Sequence, residues 1–302
     1  MPRTLLTHGL VVLLSLCAAI AMAIGIVVRQ RATLDVPSEQ GVSVVMFRTL
    51  LRRPLWWAGT AVAILGYVFQ ALALIKGSLL LVQPLLVSAL LFALPLSARM
   101  AHRRVRRSEW LWAGLLTTSL AVFVLLARPG PQAATATLPV TAIVAAVCTL
   151  IVVVCVVIAV RVAGWQRAVA VAVAVGVLFG VVAVLTKIVM HTLDERGLLH
   201  MLATPAPYLL VFLGVFAVLL QQSAFHAGAL QMSVPTMLVL EPVVAVFLGA
   251  ILLGEELNAG RYEAIALTLA IAAMTAATVA LGRDEGAYEA ELELQVARSG
   301  GP

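Results

Sequence analysis

The stretch from Leu138 to Val160 reads LPVTAIVAAVCTLIVVVCVVIAV and contains no charged residue. A transmembrane helix needs about 20 consecutive apolar residues, and this stretch is long enough. Similar stretches recur along almost all of the 302-residue chain, which is 63% hydrophobic and only 11% charged. A soluble domain carries about 25% charged residues, so the composition excludes a soluble enzyme and a disordered protein. The sequence therefore predicts an all-α integral membrane protein.

Apolar runs bounded by charges, proline or glycine predict nine transmembrane helices. They cover residues 8–28, 54–75, 77–99, 109–127, 138–160, 168–190, 205–226, 228–252 and 261–281. Residues 41–46 form a weakly apolar piece that is too short to span the bilayer, and it predicts a re-entrant or surface helix. The acidic tail after Arg283 ends in Ser-Gly-Gly-Pro, which predicts a disordered end or a short solvated helix.

Lysine and arginine are unevenly divided between the two sides that nine spans define. The side of the N-terminus carries six of the 20 basic residues and the other side carries fourteen, ten of them within 29–53 and 99–107. Because cytoplasmic loops are enriched in Lys and Arg, the N-terminus is predicted to lie outside and the C-terminus in the cytoplasm. This topology explains the net charge of +6, and no nucleic-acid partner is expected. The short loops suit a bacterial plasma membrane.

The two halves of the chain resemble each other. A shift of 151 residues places Gln70 on Gln221, Gly77 on Gly228 and Pro84 on Pro235. Helix 138–160 is an odd extra span between the copies, so the second copy is predicted to enter the bilayer in the opposite sense. Inverted repeats are characteristic of secondary transporters, whose sites lie near the midplane on interrupted helices. The alternative is a chance coincidence of the glycine and proline residues that helical hairpins favour.

The duplication predicts a 4+1+4 arrangement of two inverted four-helix repeats joined by one linker helix. The predicted units are a first transmembrane repeat at 1–128, a linker with the extra helix at 129–167, a second transmembrane repeat at 168–282 and a cytoplasmic acidic tail at 283–302.

Two further stretches carry a resemblance to a known family. Val239 to Glu256 reads VLEPVVAVFLGAILLGEE and resembles the second-repeat signature of the drug/metabolite transporter (DMT) superfamily, in its EamA-like form. There, a proline-containing helix ends in an apolar-Gly-Glu step before the last helix. Leu55 to Gly59, read together with Gln70 and residues 77–84, is similar to the NIPA-like branch, which is associated with magnesium transport and nine spans. The resemblance covers roughly 45–128 and 168–282 and implies a transporter.

Among the fourteen acidic residues, Glu241 alone falls deep within a predicted span. It follows Gly228 by thirteen positions, which is about 20 Å along a helix that rises 1.5 Å per residue. An ionisable group at that depth costs about 3 kcal/mol on insertion scales and is a functional candidate that faces the bundle interior. Glu241 is a candidate for proton coupling or for capture of a cation or an amine. Alternatively, a neutral Glu241 caps carbonyls loosened by Pro235 or Pro242.

Prolines and uncharged polar side chains accompany Glu241 on neighbouring helices. Pro84 and Pro235 each remove a backbone donor and clash with the carbonyl four residues back, so matching kinks are predicted, with Pro242 as a third helix-kink position. The candidates to line a substrate or coupling-ion cavity beside Glu241 are Gln70, Gln83, Gln221, Gln222, Gln231 and Thr236. Such side chains also bridge helices in ordinary membrane packing, worth about 0.6 kcal/mol each, and simple bending also explains the prolines.

Charged residues at the span ends are expected to reach water. Lys187, near the end of 168–190, is expected to snorkel to the interface. The acidic excess on the predicted outer face is expected to consist of solvated loop residues, namely Asp194, Glu195, Glu255, Glu256 and Glu263. By contrast, Gly176 and Gly180 form a small-xxx-small pattern that predicts close helix contact. The alanine-rich stretch 264–280 allows the same within the bundle or between protomers of a homo-oligomer.

No pattern typical of catalysis or metal binding stands out in the sequence. Cys17, Cys148 and Cys155 lie in apolar stretches and are expected to be buried small hydrophobes. There is no CxxC or HExxH motif, no His/Cys cluster, and no recognisable nucleophile-base pair or phosphate-binding loop. We therefore expect no enzymatic activity, no metal site and no cofactor.

Three transport functions fit these observations. The first is a DMT-type secondary transporter that moves a small solute across the plasma membrane by alternating access. The NIPA-like resemblance implies magnesium transport as the alternative. A flippase for a lipid-linked sugar or a phospholipid is a further alternative, because the basic cytoplasmic loops suit anionic headgroups. The expected partners are the lipid bilayer and a small solute or ion, Mg²⁺ among them.

Overall fold

The computed structural model describes residues 2–34, 52–100, 105–126, 137–162, 165–225, 230–255 and 260–299, and all regular structure within them is helical. The helices are α1 (Pro2–Leu34), α2 (Pro54–Lys76), α3 (Leu79–Leu86), α4 (Ala89–Met100), α5 (Arg107–Leu126), α6 (Leu138–Arg161), α7 (Trp165–Ala203), α8 (Ala206–Phe225), α9 (Leu230–Leu253) and α10 (Arg261–Ser299). The prediction of an all-α membrane protein is confirmed at this level.

Eight of the apolar stretches within the described residues are long and apolar enough to cross a membrane. They correspond to eight of the nine predicted spans. The remaining prediction, 205–226, coincides with α8, whose apolar part Ala206–Gln221 is shorter than the others. The chain is therefore built from apolar helices that cross a bilayer several times.

The predicted helix 77–99 corresponds to the apolar stretch Leu79–Leu96, but the structure divides it into α3 and α4. The division falls at Val87 and Ser88, three residues after Pro84. The amides of Val87 and Ser88 donate to the carbonyls of Pro84 and Leu85 at 3.2 and 3.1 Å. Each of these hydrogen bonds joins residues three apart, which is a tighter turn than that of an α-helix. They end α3 shortly after Pro84, whose nitrogen has no hydrogen to donate. In the second half, α9 continues through Pro235 and Pro242 without such a division.

Two predicted segments lie outside the nine spans, at 41–46 and after Arg283. The predicted re-entrant or surface helix at 41–46 lies outside the described residues. The tail is helical, because α10 continues past Arg283 to Ser299. Within α7 the helical path changes direction at Gly197, whose φ of 77° and ψ of 174° are accessible mainly to glycine.

The short helix α3 lies at the centre of the bundle. Every residue from Leu79 to Leu85 is buried, and α3 contacts α1, α2, α5, α7 and α9. Its leucines share one hydrophobic core with α9 and α10, represented by Leu248 and Met274. The linker helix α6 is different, because Ala159 is its one buried residue and its packing is chiefly against α7. The core thus joins both halves, while α6 presents its apolar side chains outward.

Glycines set the distance between the helices that pack most closely. A Cβ atom built on Gly25 of α1 would lie 2.8 Å from both the backbone nitrogen and the Cβ of Ala63 in α2. One built on Gly66 of α2 would lie 2.8 Å from Met22 Cγ in α1. Since real Cβ contacts are longer, α1 and α2 can approach this closely only because both positions lack a side chain.

We expect Gly25→Ala to destabilise the protein by about 1–3 kcal/mol, because the new methyl group overpacks against the backbone of Ala63. Gly9→Ala is the matched control in the same helix, since nothing lies within 4 Å of a Cβ there. Both changes raise helix propensity by the same amount, about 1 kcal/mol, so their difference isolates the packing. Thermal unfolding in detergent measures it, and equal midpoints for the two variants would contradict this account.

Candidate functional site

Glu241 lies on the protein-facing side of α9. Its neighbours on the same helical face are Met237, Ala245 and Leu248, which lie four residues before it, four after it and seven after it. Their side chains are buried, at 5%, 0% and 6% exposure. The opposite stripe faces outward, with Phe247 67% exposed. Glu241 itself is half-buried. The carboxyl group is therefore held within the bundle at mid-span and not against lipid.

The predicted small-xxx-small contact is formed at the level of Glu241. A Cβ on Gly176 of α7 would lie 2.6 Å from Leu240 Cβ and 3.5 Å from the backbone nitrogen of Glu241. One turn later, a Cβ on Gly180 would lie 2.6 Å from Val244 Cγ1. Because these glycines lack side chains, α7 fits directly against α9 and fixes the backbone that carries Glu241.

The predicted cavity residues differ in burial. Gln70 of α2 and Gln83 of α3 are 5% and 1% exposed, whereas Gln221 of α8 and Thr236 of α9 are half-buried. The Gln83 Nε2 atom is buried with no hydrogen-bond partner among the described residues. A buried polar group without a partner costs about 1–3 kcal/mol, which makes Gln83 a candidate to bind a ligand. The side chains of Gln222, Gln231 and Pro235 lie outside the described residues.

A second polar cluster surrounds the turn between α2 and α3. Lys187 of α7 is 6% exposed, and its Nζ donates to the carbonyl oxygens of Leu74 and Gly77, the former at 2.9 Å. The expectation that Lys187 snorkels to the interface is wrong. The last carbonyls of a helix have no partner within it, and the ammonium group of Lys187 satisfies that of Leu74 together with the carbonyl of Gly77, which directly follows α2.

Glu255 binds the other side of the same turn. Its Oε1 and Oε2 accept hydrogen bonds from the backbone amides of Leu79 and Leu80 at 3.1 and 3.2 Å, which are the first two residues of α3. The expectation that Glu255 is a solvated loop residue is wrong, because it is 4% exposed. Burial raises the pKa of its carboxyl group, while the two amide hydrogen bonds and the charge of Lys187 act in the opposite direction.

The turn is therefore held at both ends by charges from the second half of the chain. Ser78 stands at the N-terminus of α3 without capping it through its side chain, and Glu255 supplies the acceptor in its place. Each charge also matches the helix dipole, with a cation at the end of α2 and an anion at the start of α3. A third contact nearby joins Lys76 to Asp194 at 2.6 Å, and both of these side chains are exposed.

Sequence reasoning overlooked Lys187 and Glu255 as residues that interact with the first half. The available signal was the break at Gly77 and Ser78 between two apolar helices, because a break inside a membrane protein leaves backbone groups that need partners. The sequence does not show which charged residues meet that need. The described residues contain no group of three or more His, Cys, Asp or Glu residues that could hold a metal ion.

These helices define the chain as a multi-pass α-helical membrane protein. It is 36% identical over 274 residues to an uncharacterized protein of Corynebacterium glutamicum, and the alignment covers 91% of this chain and 95% of that relative. The chain belongs to the same family as this protein. No protein-family model matches the chain, and no solved structure matches it.

We expect Glu255→Ala to lower stability by about 2 kcal/mol, because it removes the acceptor of two buried amides at the start of α3. Glu195→Ala is the control, because it removes a carboxyl group of α7 whose side chain is 54% exposed. Its effect is expected to stay within about 0.5 kcal/mol. Unfolding in detergent measures both variants. Similar losses for the two would show that the capping contacts contribute little.

Proposed function

We propose that the protein is a DMT-type secondary transporter that moves a small solute across the plasma membrane by alternating access of two halves. The observation that carries the proposal is the mid-span carboxyl group of Glu241 on the protein-facing side of α9. An ionisable group at this depth is expensive, and in membrane proteins such groups mark substrate and ion pathways. Glu241 serves as the coupling group or binds the solute directly.

The packing of the halves supports two related units. Under the shift of 151 residues, α1, α2 and α5 correspond to α7, α8 and α10, while α3 and α4 correspond to α9. Within the first half α1 packs on α2 and α4, and within the second half α7 packs on α8 and α9. Across the halves α3 packs on α9 and α5 on α10. Contact between equivalent elements is what a two-fold relation produces.

The proposal includes nine spans in a 4+1+4 arrangement, with α6 as the linker helix and α8 as one of the nine. The outward apolar surface of α6 supports this role, since only Ala159 among its residues is buried. Alternating access then requires the two halves to move against each other around α3 and α9, which are in contact. The solute path lies where these two helices meet, near Gln83 and Glu241.

The transport proposal is tested with proteoliposomes that contain a pH-sensitive dye and are offered labelled amino acids, nucleobases, quaternary amines and Mg²⁺ in turn, so that both solute uptake and proton movement are measured. We expect an organic solute to produce flux and Glu241→Gln to reduce it about tenfold or more, which corresponds to about 1.4 kcal/mol. Glu195→Gln, at an exposed carboxyl group, is the matched control and should leave flux within about twofold.

Flux that is equal in the wild type and Glu241→Gln would overturn the role of Glu241. Flux of Mg²⁺ with no response to any organic solute would favour the magnesium alternative. A folded protein that moves none of these solutes would overturn the proposal for these solute classes.

The proposed topology places the N-terminus outside and the C-terminus in the cytoplasm, because six basic residues lie on one side and fourteen on the other. We expect a fluorescent protein fused after Pro302 to fluoresce in cells and alkaline phosphatase fused after Leu199 to be active. The reciprocal fusions should both be inactive. Activity of the reciprocal pair alone would reverse the orientation.

A further inference from the structure

Both halves of the chain meet at one end of the bundle, around the turn formed by Gly77 and Ser78. The turn belongs to the first half, whereas the two buried side chains that hold it, Lys187 and Glu255, belong to the second half. Every one of these hydrogen bonds ends on the backbone of the other half. Any movement of the two halves apart at this end must therefore break them.

This contact lies closer to one end of the bundle than the candidate transport site does. Lys187 follows Gly176 by eleven residues on the same face of α7, and Gly176 is at the level of Glu241. Eleven residues correspond to about 16 Å along a helix. Gln83, whose buried Nε2 atom has no hydrogen-bond partner among the described residues, stands four residues after Leu79 and so about 6 Å deeper than the turn along α3. The turn therefore lies between these candidates and one end of the bundle.

The contact has the properties of a gate with two states. While it is formed, Lys187 and Glu255 satisfy four backbone groups, and Gln83 behind the turn is only 1% exposed. When it breaks, a charge left buried without a partner is costly, so Lys187 and Glu255 need water in place of the backbone. Breaking the contact and admitting water at this end are thus coupled, and packed interfaces of this kind switch between discrete arrangements.

We propose that Lys187, Glu255 and the Gly77–Ser78 turn form the gate that closes the solute path on the side of the turn. The proposal rests on the transport function proposed above and adds the elements that control access to the site. Lys76 and Asp194 lie at the same end, but both are exposed, and exposed ion pairs contribute little. They are not required for closure, which makes them the matched control.

The test measures access of water-soluble reagent to Gln83 in sealed vesicles, without any solute. The three free cysteines, Cys17, Cys148 and Cys155, are replaced by alanine, and Gln83→Cys supplies the reporter thiol. A membrane-impermeant thiol reagent is added on the side of the turn. We expect Lys187→Met and Glu255→Gln each to raise the labelling rate about tenfold or more. Lys76→Met should change it by less than about twofold.

Lys187→Arg is the conservative variant, because it retains a charged donor, and it should label nearly as slowly as the parent. Size-exclusion profiles in detergent verify folding. Equal labelling in the gate variants and the parent would overturn the proposal, as would equal acceleration by Lys76→Met. Loss of the folded protein in both gate variants would also overturn it, because the contacts would then be a requirement for folding.

Failure of the gate and failure of the transport proposal give different results. If labelling is unchanged while Glu241→Gln abolishes flux, the gate is wrong and the transporter stands. If labelling rises as expected while Glu241→Gln leaves flux unchanged, the gating contact stands and the proposed role of Glu241 fails.

Discussion

Backbone groups inside a bilayer have no water to bind, and this constraint governs the turn between α2 and α3. A continuous helix satisfies its own carbonyls and amides, but the break at Gly77 and Ser78 leaves several without partners. The structure supplies them from the other half of the chain, through the ammonium group of Lys187 and the carboxyl group of Glu255. Because α3 begins at this turn and is buried along almost its whole length, the position of the central helix depends on these hydrogen bonds.

Helix α7 connects this turn to the middle of the bundle. Gly176 and Gly180 allow α9 to approach at the level of Glu241, and Lys187 continues the same face to the turn. A rigid helix with a glycine contact at one level and a charged contact at another can couple the two levels mechanically. The candidate site and the proposed gate thus share one structural element.

In the proposed repeat, the two halves of the chain differ in one element. Equivalent helices make corresponding contacts within each half and meet across the halves, yet the proline-containing segment is divided only in the first half. Pro84 is followed by the turn at Val87 and Ser88, while α9 continues through Pro235. This difference gives the first half a short central helix that is buried from Leu79 to Leu85, and it leaves the second half a long helix that carries Glu241. Within this fold, the two halves of the chain contribute different parts of the proposed site.

The sequence by itself determined the membrane class and the approximate helices, and it made Glu241 the candidate site residue, because length, hydrophobicity and an isolated deep charge are local properties. The glycine pair at 176 and 180 was also readable, since its spacing places both residues on one helical face. Only the tertiary structure decided the roles of Lys187 and Glu255. Lys187 is 113 residues from Leu74, and Glu255 is 176 residues from Leu79. A charge near the end of an apolar stretch is compatible with water or with a distant helix end, and only the packing of the halves selects between them.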